Sequence, residues 1–184
     1  MFRKSLTKLV GLVVAVGLAA PVAPAAFVEF NVLAPAGPWG CCGVTFTADG
    51  VGFVTRQFQN SAGTWVVTGS AYGGGCLDPF SLYLNNVSVA PNIVAAVPGG
   101  ATTVIFDYRD MGGNINLRVN GIHVRRADFS MIPGAAYAAA GVAVGVTTTA
   151  IAGGVEGTVT LTGGPITSVW IGGQELCIDE LDMY

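Results

Sequence analysis

The chain reads as an all-β protein, an antiparallel β-sandwich of jelly-roll type, and three observations carry that reading. About ten short stretches alternate apolar and polar residues with a period of two, and turn residues recur roughly every eight to twelve positions. The 27 glycines stand among many valines, threonines and aromatics, a composition of short strands and tight turns. No segment makes a convincing amphipathic helix.

With 184 residues the chain has the length of one domain plus a processed leader. Arg3, Lys4 and Lys8 precede an uninterrupted apolar run over 9–20, and Ala23-Pro24-Ala25 supplies small residues at a cleavage spacing. The run is too short to span a bilayer and right for a signal-peptide core. Residues 1–26 are therefore expected to be removed, leaving one domain over 27–184; the rival reading is an uncleaved N-terminal anchor. Export beyond the cytoplasm follows, to the medium, the cell surface or the periplasm. The leader takes three of the eight basic residues and leaves five arginines against eleven acidic residues, a balance of −6 without a single lysine. Such a surface is a poor partner for nucleic acid or anionic lipid, and no second apolar segment is long enough for a membrane span.

Taken in order, 27–33 alternates and reads as the first strand. The Pro- and Gly-rich 34–40 is loop, and 43–48 and 51–58 form a hairpin over Asp49-Gly50. A short strand at 64–68 leads into a glycine loop over 71–79. The stretch 80–85 alternates with Phe80, Leu82 and Leu84 inward and Ser81, Tyr83 and Asn85 outward, and 87–100 reads as irregular. Strands at 101–110 and 114–120 meet at Gly112-Gly113, which reads as a turn between paired strands. Another strand is expected near 121–126. Alanines at 135–140 are not a helix, because 141–146 then alternates valine with Gly or Ala, the pattern of a strand with a bare face. Strands at 155–161, 166–171 and 174–184 close the chain.

Four cysteines, Cys41, Cys42, Cys76 and Cys177, fit disulfides in an exported protein. Adjacent cysteines need a strained peptide to pair, so the expected pattern joins one of Cys41 and Cys42 to Cys76 and the other to Cys177. Zinc is disfavoured by the absence of a Cys-x-x-Cys pair and by a single histidine, His123.

The signals for catalysis are weak. His123 stands alone in a strand, no serine lies in a nucleophile-elbow context, and neither Gly73-Gly74-Gly75 nor Gly112-Gly113 makes a phosphate loop. Asp107 with Asp110, and Asp179, Glu180 and Asp182, are carboxylate groups whose facing a sequence does not reveal. The chain reads as non-catalytic.

A binding face is the sharper expectation. After Gly113 the polar Asn114, Asn116, Arg118 and Asn120 alternate with Ile115, Leu117 and Val119, which puts amides and a guanidinium on one sheet face. With Tyr83, Asn85, Asp107 and Arg109 on neighbouring strands, that face suits a polyhydroxylated ligand; the plain alternative is a wetted sandwich surface. Trp39, Trp65 and Trp170 each sit beside apolar neighbours and are expected in the core.

The closing segment Ile178-Asp179-Glu180-Leu181, with Val28-Glu29 near the start, resembles the paired terminal strands of exported bacterial jelly-roll proteins, among them galactose-binding-like and carbohydrate-binding modules. That likeness implies carbohydrate binding and a structural calcium ion held in part by Glu29 and Asp179. Two readings of function result. One is a secreted binding module for carbohydrate or another cell-surface polymer. The other is a structural, self-assembling component of the cell envelope whose Ala/Gly/Val-rich stretch at 135–155 packs against other copies.

Overall fold

The structure, a computed structural model, describes residues 25–33, 36–74, 76–77 and 81–184. The expected leader and Phe80 therefore fall outside the described residues, save Ala25 and Ala26. The strands are β1 (Ala26–Val28), β2 (Trp39–Gly40), β3 (Thr45–Ala48), β4 (Val51–Arg56), β5 (Phe58–Gln59), β6 (Trp65–Val66), β7 (Ser70–Gly73), β8 (Leu82–Pro91), β9 (Ala101–Asp110), β10 (Ile115–Val119), β11 (Ile122–Arg126), β12 (Val142–Ile151), β13 (Gly154–Ile166) and β14 (Val169–Met183). One α-helical turn, α1 (Ile93–Ala96), follows β8, and 3-10 turns stand at Asn31–Leu33, within the stretch expected as the first strand, at Phe129–Met131, and at Ala138–Ala140, within the alanines expected to be non-helical. The expected all-β antiparallel sandwich is the fold adopted: every strand pair is antiparallel, in a twelve-stranded sheet and the small β5–β6 ribbon.

The principal strand order is β12-β13-β9-β14-β8-β4-β3, and β14 is its axis. One flank of β14 pairs with β8, from Ile171 opposite Val89 to Ile178 opposite Leu82. Its other flank pairs first with β10 (Val169 to Gly173) and then with β9 (Leu176 to Met183). Its end also meets β1, so the two terminal strands pair as the sequence suggests.

This register corrects the expected turn at Gly112-Gly113. β9 and β10 do not face each other; they run one after the other along the same flank of β14. Gly112 is a close-approach residue, because a Cβ there would collide with the carbonyl oxygen of Gln174. The kink is tied by Met111 N to Glu175 O (3.1 Å) and Gln174 N to Asn114 O (3.0 Å). The Asp110 carboxylate accepts from the Gly112 and Gly113 amides at 3.1 and 3.2 Å. β8 and β14 bulge opposite this point at Asn86 and Glu175, both with positive φ.

Alternation along the strands sends one face into the core. Leu82, Leu84, Val87 and Val89 of β8, Val104, Phe106 and Tyr108 of β9, Ile115, Leu117 and Val119 of β10, and Leu176, Ile178, Leu181 and Met183 of β14 are all buried in one apolar cluster. Phe129, Ile132 and Tyr137, from the segment between β11 and β12, join that cluster, and the Tyr137 hydroxyl donates to Leu117 O at 2.7 Å. The segment 87–100, expected as irregular, instead extends β8 to Pro91 and adds α1, which the Asn92 side chain caps.

The disulfide pattern differs from the expectation. Cys41 bonds its neighbour Cys42 across a cis peptide, and Cys76 bonds Cys177. Cys177 is buried on β14 between Tyr83 of β8 and Arg109 of β9. The Cys76 loop is held over it by Ser81 Oγ, so the Cα atoms lie 6.2 Å apart, a spacing that suits a disulfide. Ser81, expected on the outward face, is consequently buried. Among the described residues no helix is long and apolar enough to cross a membrane.

Candidate functional site

The face of the sheet opposite the core divides into three regions. At the β10–β11 end it is covered. Phe58–Gln59 and Trp65–Val66 form a ribbon laid across it, with Phe58 fully buried. Gln59 N donates to Asn116 Oδ1 (2.8 Å), Asn116 Nδ2 donates to Gln59 O (2.8 Å), and Asn114 Nδ2 reaches the same carbonyl at 3.3 Å. His123 contacts Asn116 Oδ1 at 2.9 Å. Since the Asn116 Nδ2 is already the donor to Gln59, its Oδ1 accepts, and His123 donates through Nε2. Arg125 donates to Ser61 O at 2.7 Å, and the His123 ring lies 5.0 Å from that of Trp65. Burial, then the Arg118 and Arg125 charges, push the His123 imidazole below its ordinary pKa and favour its neutral form. Asn114 and Asn116 are each 2% exposed. The expected open amide ladder is therefore a buried clasp whose hydrogen-bonding groups face Gln59.

The second region is a trough of about 490 Å³ lined by Asp107, Arg109, Thr147, Glu156 and Thr158, among others. Here the register brings Tyr83, Cys177, Arg109 and Glu156 into one row. Arg109 pairs with Glu156 at 2.8 Å, and Asp107 accepts from the Thr158 hydroxyl at 2.6 Å. Asp179 stands opposite Asp107. Asn85 lies between the two ends and accepts from the Asn86 amide. Tyr83, Asp107 and Arg109 thus share one neighbourhood, whereas Arg118 sits about 20 Å further along β14, seven residues away at strand rise.

The third region is a cleft of about 560 Å³. Its outward-facing side chains come from β3 (Thr45, Thr47), β4 (Val54, Arg56), β8 (Ala90) and β14 (Trp170), with Asn92, Thr167 and Ser168 at the margin. Trp170 is half-buried, and two guanidinium groups lie against its ring: Arg118 at 4.3 Å and Arg56 at 5.3 Å from the centroid. They arrive from opposite sides, since β10 flanks β14 directly and β4 lies beyond β8. Between them Ser88 packs directly on Gly172, where a Cβ would strike Ser88 Oγ. Arg56 Nε is buried with no hydrogen-bond partner among the described residues. Among the described residues no carboxylate lines the cleft, and Arg56 is the one charged residue of its lining.

Trp170 and Arg56 are residues that the sequence reading missed. Its apolar neighbours Val169 and Ile171 suggest a core position for Trp170, yet on a strand apolar neighbours at ±1 place the residue between them on the opposite face. Trp65 is also outside the core, at 42% exposure, while Trp39 packs on it and stacks with Phe46 at 4.3 Å.

For calcium, β1 pairs with the end of β14, Val28 opposite Leu181, so Glu29 and Asp179 lie on neighbouring strand ends. Glu29 is exposed and accepts from Asn31 Nδ2 at 2.7 Å, while Asp179 is buried beside β9. A calcium ion takes six to eight oxygens, and among the described residues no group of three or more His, Cys, Asp or Glu is placed to hold a metal. No protein-family model, curated protein or solved structure matches the chain.

Proposed function

We propose that this chain is a secreted, non-catalytic binding module for carbohydrate and that the ligand occupies the Trp170 cleft. The observation that carries the reading is the half-buried indole at the end of a sheet-floored cleft, with Thr45, Thr47, Asn92 and Ser168 around an apolar floor at Val54 and Ala90. A sugar ring presents C–H groups on its faces and hydroxyls at its rim. The apolar floor accepts the first, and hydroxyl, amide and guanidinium side chains accept or donate to the second. The Asp107–Arg109 trough is a weaker host, because its cation is neutralised by Glu156 and no tryptophan lines it. Export of such a module agrees with the leader-like N-terminus and with cysteines at disulfide distance.

The test is a panel of soluble polysaccharides run against the purified oxidised protein, Trp170→Ala and Arg109→Ala. Selective binding that is lost in Trp170→Ala and kept in Arg109→Ala supports the cleft. The reverse pattern moves the site to the trough, and a blank panel with the native protein removes the carbohydrate reading.

A second reading, self-assembly, rests on β12. Among the described residues this strand pairs only with β13, and its ten residues carry neither charge nor proline, the devices that usually blunt an edge. Sedimentation that shifts with protein concentration, and ceases to shift in Thr148→Lys, supports pairing between copies through that edge.

A further inference from the structure

Resting on the carbohydrate reading, we infer that the cleft selects acidic polysaccharide, with Arg56 in its wall and Arg118 just beyond it on the Trp170 ring as a paired recognition element for carboxylate or sulfate groups along the sugar chain. Both guanidinium groups lie against one indole ring, which places the two charges no more than about 10 Å apart. Among the described residues neither guanidinium has a carboxylate partner. The single ion pair among the described residues is Arg109 with Glu156, in the distant trough. Arg118 uses Nε on Gly121 O at 3.2 Å, and Arg56 has a buried Nε with no acceptor. Among the described residues the cleft has no lining carboxylate.

A neutral sugar would leave both charges uncompensated in a partly desolvated setting. A carboxylate or sulfate matches the planar donor fork of arginine in charge and geometry. The five arginines against eleven acidic residues in 27–184 give the rest of the surface an opposite sign. That imbalance disfavours a nucleic-acid strand, which presents a charge on every nucleotide and is usually met by an extended basic track.

The test compares a polyuronate, a dextran sulfate, neutral dextran and a single-stranded oligonucleotide by titration of the full oxidised protein. The variants are Arg56→Gln, Arg118→Gln, the double change, and Arg109→Gln as control. The acidic polymers are expected to bind at least about tenfold more tightly than the neutral one, and each cleft substitution to weaken them by roughly tenfold, as for a lost charge-assisted contact. Arg109→Gln should leave every affinity unchanged. The polyuronate and sulfate arms separate the two anion sources. If Arg118→Gln fails to keep the native melting temperature, Arg56→Gln alone reads the same loss. Trp170-dependent binding with equal affinity for neutral and acidic chains overturns the inference and keeps the carbohydrate reading. Acidic binding undiminished in the double variant, or tighter binding of the oligonucleotide, also overturns it. No binding of any polysaccharide removes both.

Discussion

Replacing Asn116 with alanine separates two roles that the alternating amides of β10 could play. If the residue is a clasp, its loss orphans the Gln59 N–H and the His123 Nε2–H, which it now accepts at 2.8 and 2.9 Å. Gln59 O keeps a partner in Asn114 Nδ2, at 3.3 Å. Two buried donors left unsatisfied cost about 1–3 kcal/mol each, and water entering beneath a two-stranded ribbon recovers part of that. The expected loss is about 2–3 kcal/mol, or roughly 5–10 °C in melting temperature for a domain of this size. Urea unfolding with its slope unchanged gives the first number, and a circular-dichroism melt gives the second. The ribbon should also open locally, seen as faster protease cleavage within 60–63 and a red-shifted Trp65 emission. Binding to any polymer held in the Trp170 cleft should survive, because Asn116 does not line that cleft. A variant that melts like the native protein, within about 0.5 kcal/mol, and yet loses polysaccharide binding refutes the clasp and restores the amide to a ligand-binding role.

Three further outcomes follow from the same structure. Burial pushes the Asp110 carboxyl up to about 6, against the opposing effect of the Gly112 and Gly113 amides, with Asp128 and Glu175 adding to the rise. A carboxyl raised in the folded state binds its proton more tightly there, so its contribution is full below about pH 4 and lost as pH rises through about 6. Asp110→Asn, which keeps an acceptor for the two amides, should abolish that fall and raise stability at pH 7; melts across pH 3–8 that keep the native slope would sink the assignment. Gly112→Ala should cost about 3 kcal/mol or more, since its Cβ meets the Gln174 carbonyl oxygen, whereas Gly113→Ala, with φ 64° and open space, should cost only about 1–2 kcal/mol; equal unfolding midpoints for the two would contradict the collinear β9–β10 arrangement. Opening the Cys76–Cys177 bond, which spans 101 residues, should cost up to about 4–5 kcal/mol by loop entropy, read as the difference in urea midpoint between the native protein and Cys76→Ser, with no difference arguing against that pairing.

Local pattern carried much of the fold. The Asp49-Gly50 hairpin is formed as expected, with Ala48 opposite Val51 and both turn residues at positive φ, because the turn chemistry and the flanking alternation are contiguous in sequence. The faces of β8, β9 and β10 also follow their alternation, with Ser81 the exception. Partners were another matter. A period of two states which side chains share a face and is silent on which strand lies alongside. Gly112-Gly113 has the composition of a hairpin turn, and what makes it a kink is the Gln174 carbonyl, more than sixty positions later. The same limit hid the clasp: alternating asparagines look identical whether water or a distant ribbon covers them, and the cover comes from residues 58–66. Cys41 and Cys42 were misassigned for a related reason. The partner of Cys177 was decided by the loop that Ser81 holds over β14.

The electrostatics of the cleft lead to a last outcome that distinguishes local from global attraction. Residues 27–184 carry a balance of −6, while among the described residues the cleft presents arginine with no lining carboxylate. Asp107, Glu156 and Asp179 lie at the far end of β14, roughly 20–30 Å from Trp170 at strand rise. The Debye length is about 30 Å at 0.01 M salt and about 10 Å at 0.1 M. At the lower salt an approaching polyanion therefore meets the repulsion of the whole surface; at the higher it meets mainly the two arginines. Affinity for an acidic polysaccharide should rise between these concentrations and fall again toward 1 M, where even contacts near 3 Å are screened. A plain monotonic decline from the lowest salt would mean that the distant carboxylates exert no measurable field at the cleft, and the maximum argued here would be wrong even if the cleft arginines bind the ligand.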